Sequence, residues 1–247
     1  MSQSAPLLAP PSLASLLAAG PVALFLDFDG TLVEIAARPD AIAVPAKLVS
    51  KLARLSDRLG GRLALVSGRS LEDLETHLGS LAVASAGSHG ADRRWPDGSH
   101  LGGAPLSLAA ETIAEVEDYA RAQELIFETK SHGCALHYRG RPEAGESAEA
   151  FMRTIAAREG LAVKTGKCVV ELVHEGADKG GAVRAFMEQP PFAGARPVFI
   201  GDDVTDEDGF AGCTQAGGFG VLVGDERETA AEFRLADVDA VYDWLEF

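Results

Sequence analysis

Basic residues are scarce in this chain: 22 lysines and arginines stand against 37 aspartates and glutamates over 247 residues, a formal net charge of −15. Affinity for a nucleic-acid backbone needs clustered basic side chains. None is visible, so no nucleic-acid partner is expected. An acidic chain can still hold a phosphorylated small molecule where a lysine, a helix N-terminus or a divalent cation is placed locally. Cysteine is scarcer still. The three present, Cys134, Cys168 and Cys213, are far apart and odd in number. That fits neither a disulfide framework nor a CxxC metal site and points to a reducing compartment. They read as small buried hydrophobes. A long apolar run is also missing. The N-terminal stretch "MSQSAPLLAPPSLASLLAAG" is mildly apolar, is interrupted by prolines and has no Lys or Arg before Arg38. It resembles neither a signal peptide nor a membrane span. A loose lead-in followed by a short helix is expected, with no membrane association and a cytoplasmic location.

What is present suits a globular protein, with 47% hydrophobic and 24% charged residues and enough chain for a sizeable core. The short apolar runs "VALFL" (Val22–Leu26), "RLALVS" (Arg62–Ser67), "LAVAS" (Leu81–Ser85), "PVFI" (Pro197–Ile200) and "FGVLVG" (Phe219–Gly224) read as buried strands. Among them, "PAKLVSKLARLSDRL", "SLEDLETHL" and "KGGAVRAFMEQ" carry apolar residues at helical spacing. Strands alternating with helices predict an α/β fold with a parallel sheet covered on both faces. The middle, from about Gly103 to Val173, reads instead as helix (roughly Leu106–Arg121), two strands, helix (roughly Glu146–Glu159), two strands, with Gly133 and Gly166 near the turns. The expectation is an α+β insertion at residues 103–173 inside a discontinuous core of residues 1–102 and 174–247.

Four stretches carry candidate chemistry, each where a strand ends or a helix begins. In "DFDGT", Asp27 and Asp29 point to one side of a buried strand end, where two ionised carboxylates repel and lose solvation. A divalent cation resolves both objections, and Mg²⁺ takes carboxylate oxygens readily. Gly30 permits a sharp exit. In "VSGRS", Ser67 ends a buried strand and Arg69 offers charge-assisted bonds to an anion, whereas Ser70 reads as the N-cap of "LEDLETHL" with Asp73 at the capping-box position. In "ADKGGAV", Lys179 opens a helix whose N-terminus and ammonium can jointly hold a phosphate, with Asp178 as its N-cap. In "FIGDDVTDEDGF", Thr205 can cap a helix with Asp208 three residues on. Asp202 lies outside that explanation and is the candidate third carboxylate, and Asp206 is placed to reach back toward the same ion.

In this order the four stretches resemble the motifs of the haloacid dehalogenase superfamily. A closer resemblance, carried by "GSHGA", "ETKSHGCALHYR", "GKCVVELVHEGADKGGAV" and "FIGDDVTDEDGF", runs nearly end to end and is to the trehalose-6-phosphate phosphatases. The resemblance implies a Rossmann-like core with an inserted cap domain, and Mg²⁺-dependent hydrolysis of trehalose 6-phosphate to trehalose and phosphate. It implies Asp27 as a nucleophile that forms an aspartyl-phosphate, Asp29 as acid and then base, and Ser67 and Lys179 as grips on the transferring group. The implied Mg²⁺ ligands are Asp27, the Asp29 carbonyl and Asp202, with Asp206 directly or at one remove.

The inserted strands can be read for themselves. Glu128 and Lys130 share a face of "ELIFETK", His137 and Arg139 of "CALHYR", and Lys167 and Glu171 of "KCVVELV". Leu125, Phe127, Leu136, Cys168, Val170 and Leu172 take the apolar side. The polar face is an ordinary wet sheet face by pattern alone; the resemblance makes it a sugar site, with His89 contributing from the core. A monomer acting on a small molecule is expected. The competing expectations are a capped phosphatase acting on another sugar phosphate, a phosphoryl-transfer mutase, and a non-catalytic sugar-phosphate sensor.

Overall fold

The computed structural model describes residues 6–35, 42–104, 106–130, 132–166 and 168–247. In chain order the elements are α1 (Leu13–Ala19), β1 (Val22–Leu26), α2 (Leu48–Arg58), β2 (Leu63–Val66), α3 (Leu71–Leu78), β3 (Ala84–Gly87), β4 (Asp92–Arg94), α4 (Ala110–Ala122), β5 (Ile126–Lys130) and β6 (Gly133–His137). They continue with α5 (Gly145–Glu159), β7 (Leu161–Gly166), β8 (Val169–His174), α6 (Lys179–Met187), β9 (Arg196–Gly201), α7 (Glu207–Gln215), β10 (Phe219–Val223), β11 (Phe233–Leu235) and α8 (Val238–Leu245). Two compact units result, Met1–Gly103 with Asp178–Phe247, and Ala104–Ala177.

The first unit is built on a seven-stranded sheet of order β11-β10-β9-β1-β2-β3-β4, parallel except for the antiparallel β3–β4 pair. β1 is buried at every position, and its period of two splits it between two cores. Val22, Leu24 and Leu26 join Leu48, Leu52 and Leu55 of α2, Leu71 and Leu74 of α3, and Val241 of α8. Ala23 and Phe25 join Val183 and Phe186 of α6, Phe192, and Phe210 of α7. The Phe25 ring lies 5.6 Å from that of Phe192 and 6.3 Å from that of Phe186; removing such a ring from a core costs about 3–5 kcal/mol.

This packing holds the sheet's carboxyl edge in place. The chain runs outward through β2 and β3 on one side of β1, and through β10 and β11 on the far side of β9. The strand order therefore reverses between β1 and β9, whose register pairs Leu26 with Ile200. Ligands bind beyond the strand ends at such a reversal. The third core strand runs over Ala84–Gly87 rather than the expected Leu81–Ser85. Leu81 and Val83 are buried without joining the ladder, because an apolar run reports burial and not hydrogen bonding.

The second unit is a four-stranded antiparallel sheet of order β5-β6-β8-β7. Phe127, Cys134, Leu136, Val163, Val170 and Leu172 pack on Val116 and Ala120 of α4 and on Ala148, Met152 and Ile155 of α5. The opposite face carries one row across all four strands, Glu128–Ala135–Glu171–Lys164. Two strand readings are corrected. Cys168 precedes β8 with φ +62°, its carbonyl accepting from the Tyr138 amide at 2.9 Å, so it is a turn residue and not part of the apolar face. β6 ends at His137, which leaves Arg139 beyond the strand and exposed.

Candidate active site

The ladder does not stop at Leu26. The Asp27 amide donates to the Ile200 carbonyl at 2.9 Å, which carries the Asp27 side chain to the carboxyl edge with only 4% exposure. The chain then turns back tightly, the Gly30 amide donating to Val33 O at 2.7 Å. Gly30 sits at φ +76°, and a Cβ there would stand 2.1 Å from Asp202 Oδ2. Glycine is required on both counts: the backbone is left-handed, and the Asp202 carboxylate occupies the side-chain volume.

Asp202 follows β9 directly. Behind it the Asp203 side chain accepts from the Val204 amide at 2.7 Å, and Asp206 Oδ2 accepts from the Asp203 amide at 2.9 Å. This Asp203–Asp206 capping box closes the turn that leads into α7. It replaces the expected Thr205–Asp208 cap, and it fixes Asp206, fully buried, pointing inward. Lys179 enters from α6, whose first turn is capped by Asp178 Oδ1 accepting from the Gly181 amide at 2.6 Å. Close packing of α6 on α7 brings it near, since a Cβ on Gly180 would lie 2.4 Å from Asp208 O. Lys179 Nζ donates to Asp27 Oδ1 at 2.7 Å and to Asp206 Oδ1 at 2.5 Å.

Oxygens of Asp27, Asp202 and Asp206 all lie within 4.8 Å of one another. Three carboxylates thus share one ammonium, and the imbalance shows in their proton affinities. Burial pushes the Asp27 carboxyl well above the usual range; Lys179 opposes this, and the neighbouring aspartates add to it. Asp206 is raised by burial against the same lysine. Asp202 is pushed up to about 6, by burial first and then by Asp206 and Asp203. Burial would lower the Lys179 ammonium, but Asp27 and Asp206 hold it above the ordinary lysine value. A hard divalent cation fits this donor set: it supplies the missing positive charge to oxygen ligands already gathered. A groove of about 420 Å³, lined by Gly30, Asp202 and Arg227 among others, gives access to Asp202.

Ser67 and Arg69 stand at the end of β2. Ser67 is 1% exposed, its Oγ accepting from the Arg69 amide at 3.1 Å and its carbonyl from the His89 amide at 2.9 Å. His89, at φ +57°, lies so close to Gly68 that a Cβ there would be 2.7 Å from its Cε1. Arg69 is turned to Asp29 and Asp73. Ser70 caps α3 as read from the sequence, accepting from the Asp73 amide at 3.1 Å. In the second unit the polar face pairs Glu128 Oε2 with His137 Nε2 at 2.7 Å, and Lys130 with Glu171. Lys167 lies outside the described residues. Sequence reasoning missed Lys164, which shares that face by the same period of two, and Asp73 as the anchor of Arg69. It also missed Arg227, whose Nη2 donates to Asp203 O at 2.8 Å and whose Nη1 pairs with Glu207. Nothing local in "GDERET" marks Arg227, because its partners are about 20 residues away.

The sheet order with its reversal, the insertion and the carboxylate cluster are those of a haloacid dehalogenase-like fold. The chain superposes on a Bacteroides thetaiotaomicron phosphatase of that superfamily with a TM-score of 0.66 at 16% identity, over 90% of this chain and 92% of the other. It superposes on the C-terminal domain of C. albicans trehalose-6-phosphate phosphatase with a TM-score of 0.74 at 24% identity, over 98% of each. At these identities the likeness concerns fold. Sequence goes further. Residues 25–239 match the model of the trehalose-phosphatase family, and the chain is 39% identical to the trehalose-6-phosphate phosphatase of Escherichia coli (strain K12) over 231 residues, 91% of this chain and 85% of that one. The chain belongs to the trehalose-phosphatase family, and it is an enzyme of the phosphatase class. Among the described residues, no helix is long and apolar enough to cross a membrane.

Proposed function

We propose that this chain hydrolyses trehalose 6-phosphate to trehalose and phosphate through an aspartyl-phosphate on Asp27, with Mg²⁺ at the carboxylate cluster. The substrate follows from family membership and from the named activity of the E. coli relative. The observation that carries the chemistry is the asymmetry of Asp27. Oδ1 is gripped by Lys179 at 2.7 Å, while the other oxygen has no protein partner among the described residues. One oxygen is anchored and the other is available to attack phosphorus.

In this reading Asp29 gives a proton to the sugar oxygen as the P–O bond breaks, then takes one from the water that attacks the aspartyl-phosphate. Ser67 and Lys179 hold the phosphoryl oxygens, and the shared ammonium keeps Asp27 and Asp206 aligned. The Asp27 and Asp202 side chains and the Asp29 carbonyl would hold Mg²⁺, with Asp206 beside them. Bound there, the ion would neutralise charge on the phosphoryl oxygens. The polar face of the second unit (Glu128, Lys130, His137 and Glu171) is assigned to sugar hydroxyls, together with Arg139 beyond β6, Lys167 outside the described residues, and His89 on the core side. The acceptor and donor mix on that face supports the assignment.

Phosphate release from a panel of sugar phosphates, with Mg²⁺ and with chelator, tests the proposal. Preference for trehalose 6-phosphate and loss of turnover in chelator are expected, and Asp27→Asn should be inactive yet folded. Broad weak activity would favour a different sugar phosphate. Transfer without phosphate release would favour a mutase, and binding without turnover a sensor.

A further inference from the structure

Three of the five N–H donors of Arg69 are engaged by carboxylates before any phosphate arrives. Nε donates to Asp29 Oδ2 at 2.6 Å and Nη2 to Asp29 Oδ1 at 2.8 Å, a fork that takes both carboxylate oxygens. Nη1 donates to Asp73 Oδ2 at 2.7 Å. The side chain is 11% exposed, and its guanidinium carbon sits 5.9 Å from the Phe28 ring centroid. Each guanidinium nitrogen therefore contacts a carboxylate, which is not the arrangement of a group waiting to grip an anion. We propose that Arg69 is a positioning residue for Asp29, and that through it the enzyme expels a poor leaving group. The inference rests on the acid and base role given to Asp29 above.

The physical need is clear from where Asp29 stands. It is a short side chain, 35% exposed, one residue before the Gly30 reversal, so nothing in its own loop fixes the carboxylate plane. A bidentate guanidinium fixes that plane as a single ammonium would not. Asp73 belongs to the capped first turn of α3, so the chain Asp73–Arg69–Asp29 ties the Asp29 carboxylate to a helix. Arg69 also shares a loop with Ser67, whose Oγ accepts from its amide. Misplacing a reacting group by about 1 Å can cost on the order of 10²-fold in rate. Each carboxylate oxygen keeps a second lone pair, so a proton can pass without the fork opening. In the first half-reaction the Asp27–phosphorus bond forms, the bond from phosphorus to the sugar oxygen breaks, and the Asp29 proton goes to that oxygen. In the second half, water gives Asp29 a proton as its oxygen bonds to phosphorus, and the Asp27 carboxylate departs. A sugar alkoxide needs the proton, whereas a nitrophenolate leaves unaided.

The test compares kcat and KM on trehalose 6-phosphate and on p-nitrophenyl phosphate for the wild type, Asp29→Ala, Arg69→Gln and Arg69→Lys. The ratio of the two kcat/KM values reports only the steps through leaving-group departure, not the shared hydrolysis of the aspartyl-phosphate, and within one preparation it does not depend on the fraction folded. The expected result is a ratio, sugar over aryl, lowered on the order of 10²-fold in Asp29→Ala and Arg69→Gln. Arg69→Lys should fall between, and KM should change little. An equal loss on both substrates, a raised KM for both, or an unchanged ratio in the Arg69 variants would overturn the assignment. If Asp29→Ala leaves the ratio unchanged, the acid and base reading fails and the inference fails with it. If the wild type prefers another sugar phosphate, only the substrate reading fails, and the same ratio on that substrate decides the role of Arg69.

Discussion

Lys179→Met puts the electrostatic account of the site under the most direct strain. Lys179 is 2% exposed and is the sole cation paired with Asp27 and Asp206 among the described residues. Methionine keeps much of the volume and removes the charge, so two buried carboxylates lose their partner. Breaking a buried pair from one side costs about 3–5 kcal/mol. At about 2–4 °C per kcal/mol for a chain of this size, the metal-free variant should melt roughly 6–20 °C below the wild type at pH 7.5. The pH dependence has a definite sign. Asp27 and Asp206 have folded-state pKa values raised above the unfolded value, so their contribution to stability is complete below the unfolded pKa and is lost as pH rises through the folded one. Removing Lys179 takes away an influence that lowers both. The deficit should therefore be smaller near pH 4, where more of each carboxylate is protonated, and should grow toward pH 7.5. Tryptophan fluorescence during thermal melts in chelator measures this, because Trp95 and Trp244 both lie in the first unit. A variant as stable as the wild type at pH 7.5, or a deficit that shrinks as pH rises, would refute the reasoning.

Three further outcomes follow from the same geometry. Gly30→Ala forces a Cβ into a position 2.1 Å from Asp202 Oδ2 at φ +76°; backbone strain of about 1–3 kcal/mol and displacement of Asp202 should weaken Mg²⁺ binding in calorimetry. Burial and the neighbouring aspartates push Asp202 up to about 6, and it must shed its proton to bind a cation. Calorimetric Mg²⁺ affinity should therefore fall as pH drops through 6, and a pH-independent affinity would exclude Asp202 as a ligand. Burial pushes the Cys134 thiol up to about 12 and raises Cys213 as well, so a disulfide reagent on native protein should titrate no more than Cys168 of the three thiols, against all three in denaturant.

The parallel core was legible because its strands and helices carry opposite periodicities. "VALFL" is buried at every position, and the helix over Leu71–Leu78 starts where Ser70 says it should. Elements decided by partners distant in the chain were not legible. β4 ("DRR") and β11 ("FRL") are edge strands of only three residues each, too short to show a periodicity, and they exist because β3 and β10 offer them a ladder. The start of β3 was misplaced because Leu81 and Val83 are buried outside the sheet. At the site, the meeting of Asp27, Asp202, Asp206 and Lys179 could be anticipated, since each sits at a strand end or helix start of one sheet edge. The pairing of Arg69 with Asp29 could not, because both an anion and a carboxylate satisfy a guanidinium and only the turn at Gly30 decides which one it meets.

That turn also explains how the fold tolerates so much negative charge at one edge. The reversal between β1 and β9 sets two acidic strand ends side by side, and no rearrangement of the loops can separate them without breaking the register of Leu26 on Ile200. Each carboxylate is instead given a separate means of restraint. Asp29 is drawn aside by Arg69, Asp27 and Asp206 share Lys179, and Asp202 rests on a glycine with one face toward the groove. Among the described residues, Asp202 alone of the three clustered aspartates has no basic side chain bonded to its carboxylate, Arg227 reaching only its carbonyl. The fold has thus spent its cations on the groups that must be held still and has left the groove-facing carboxylate short of charge. A divalent cation would bind there by completing a neutralisation that the protein performs only in part.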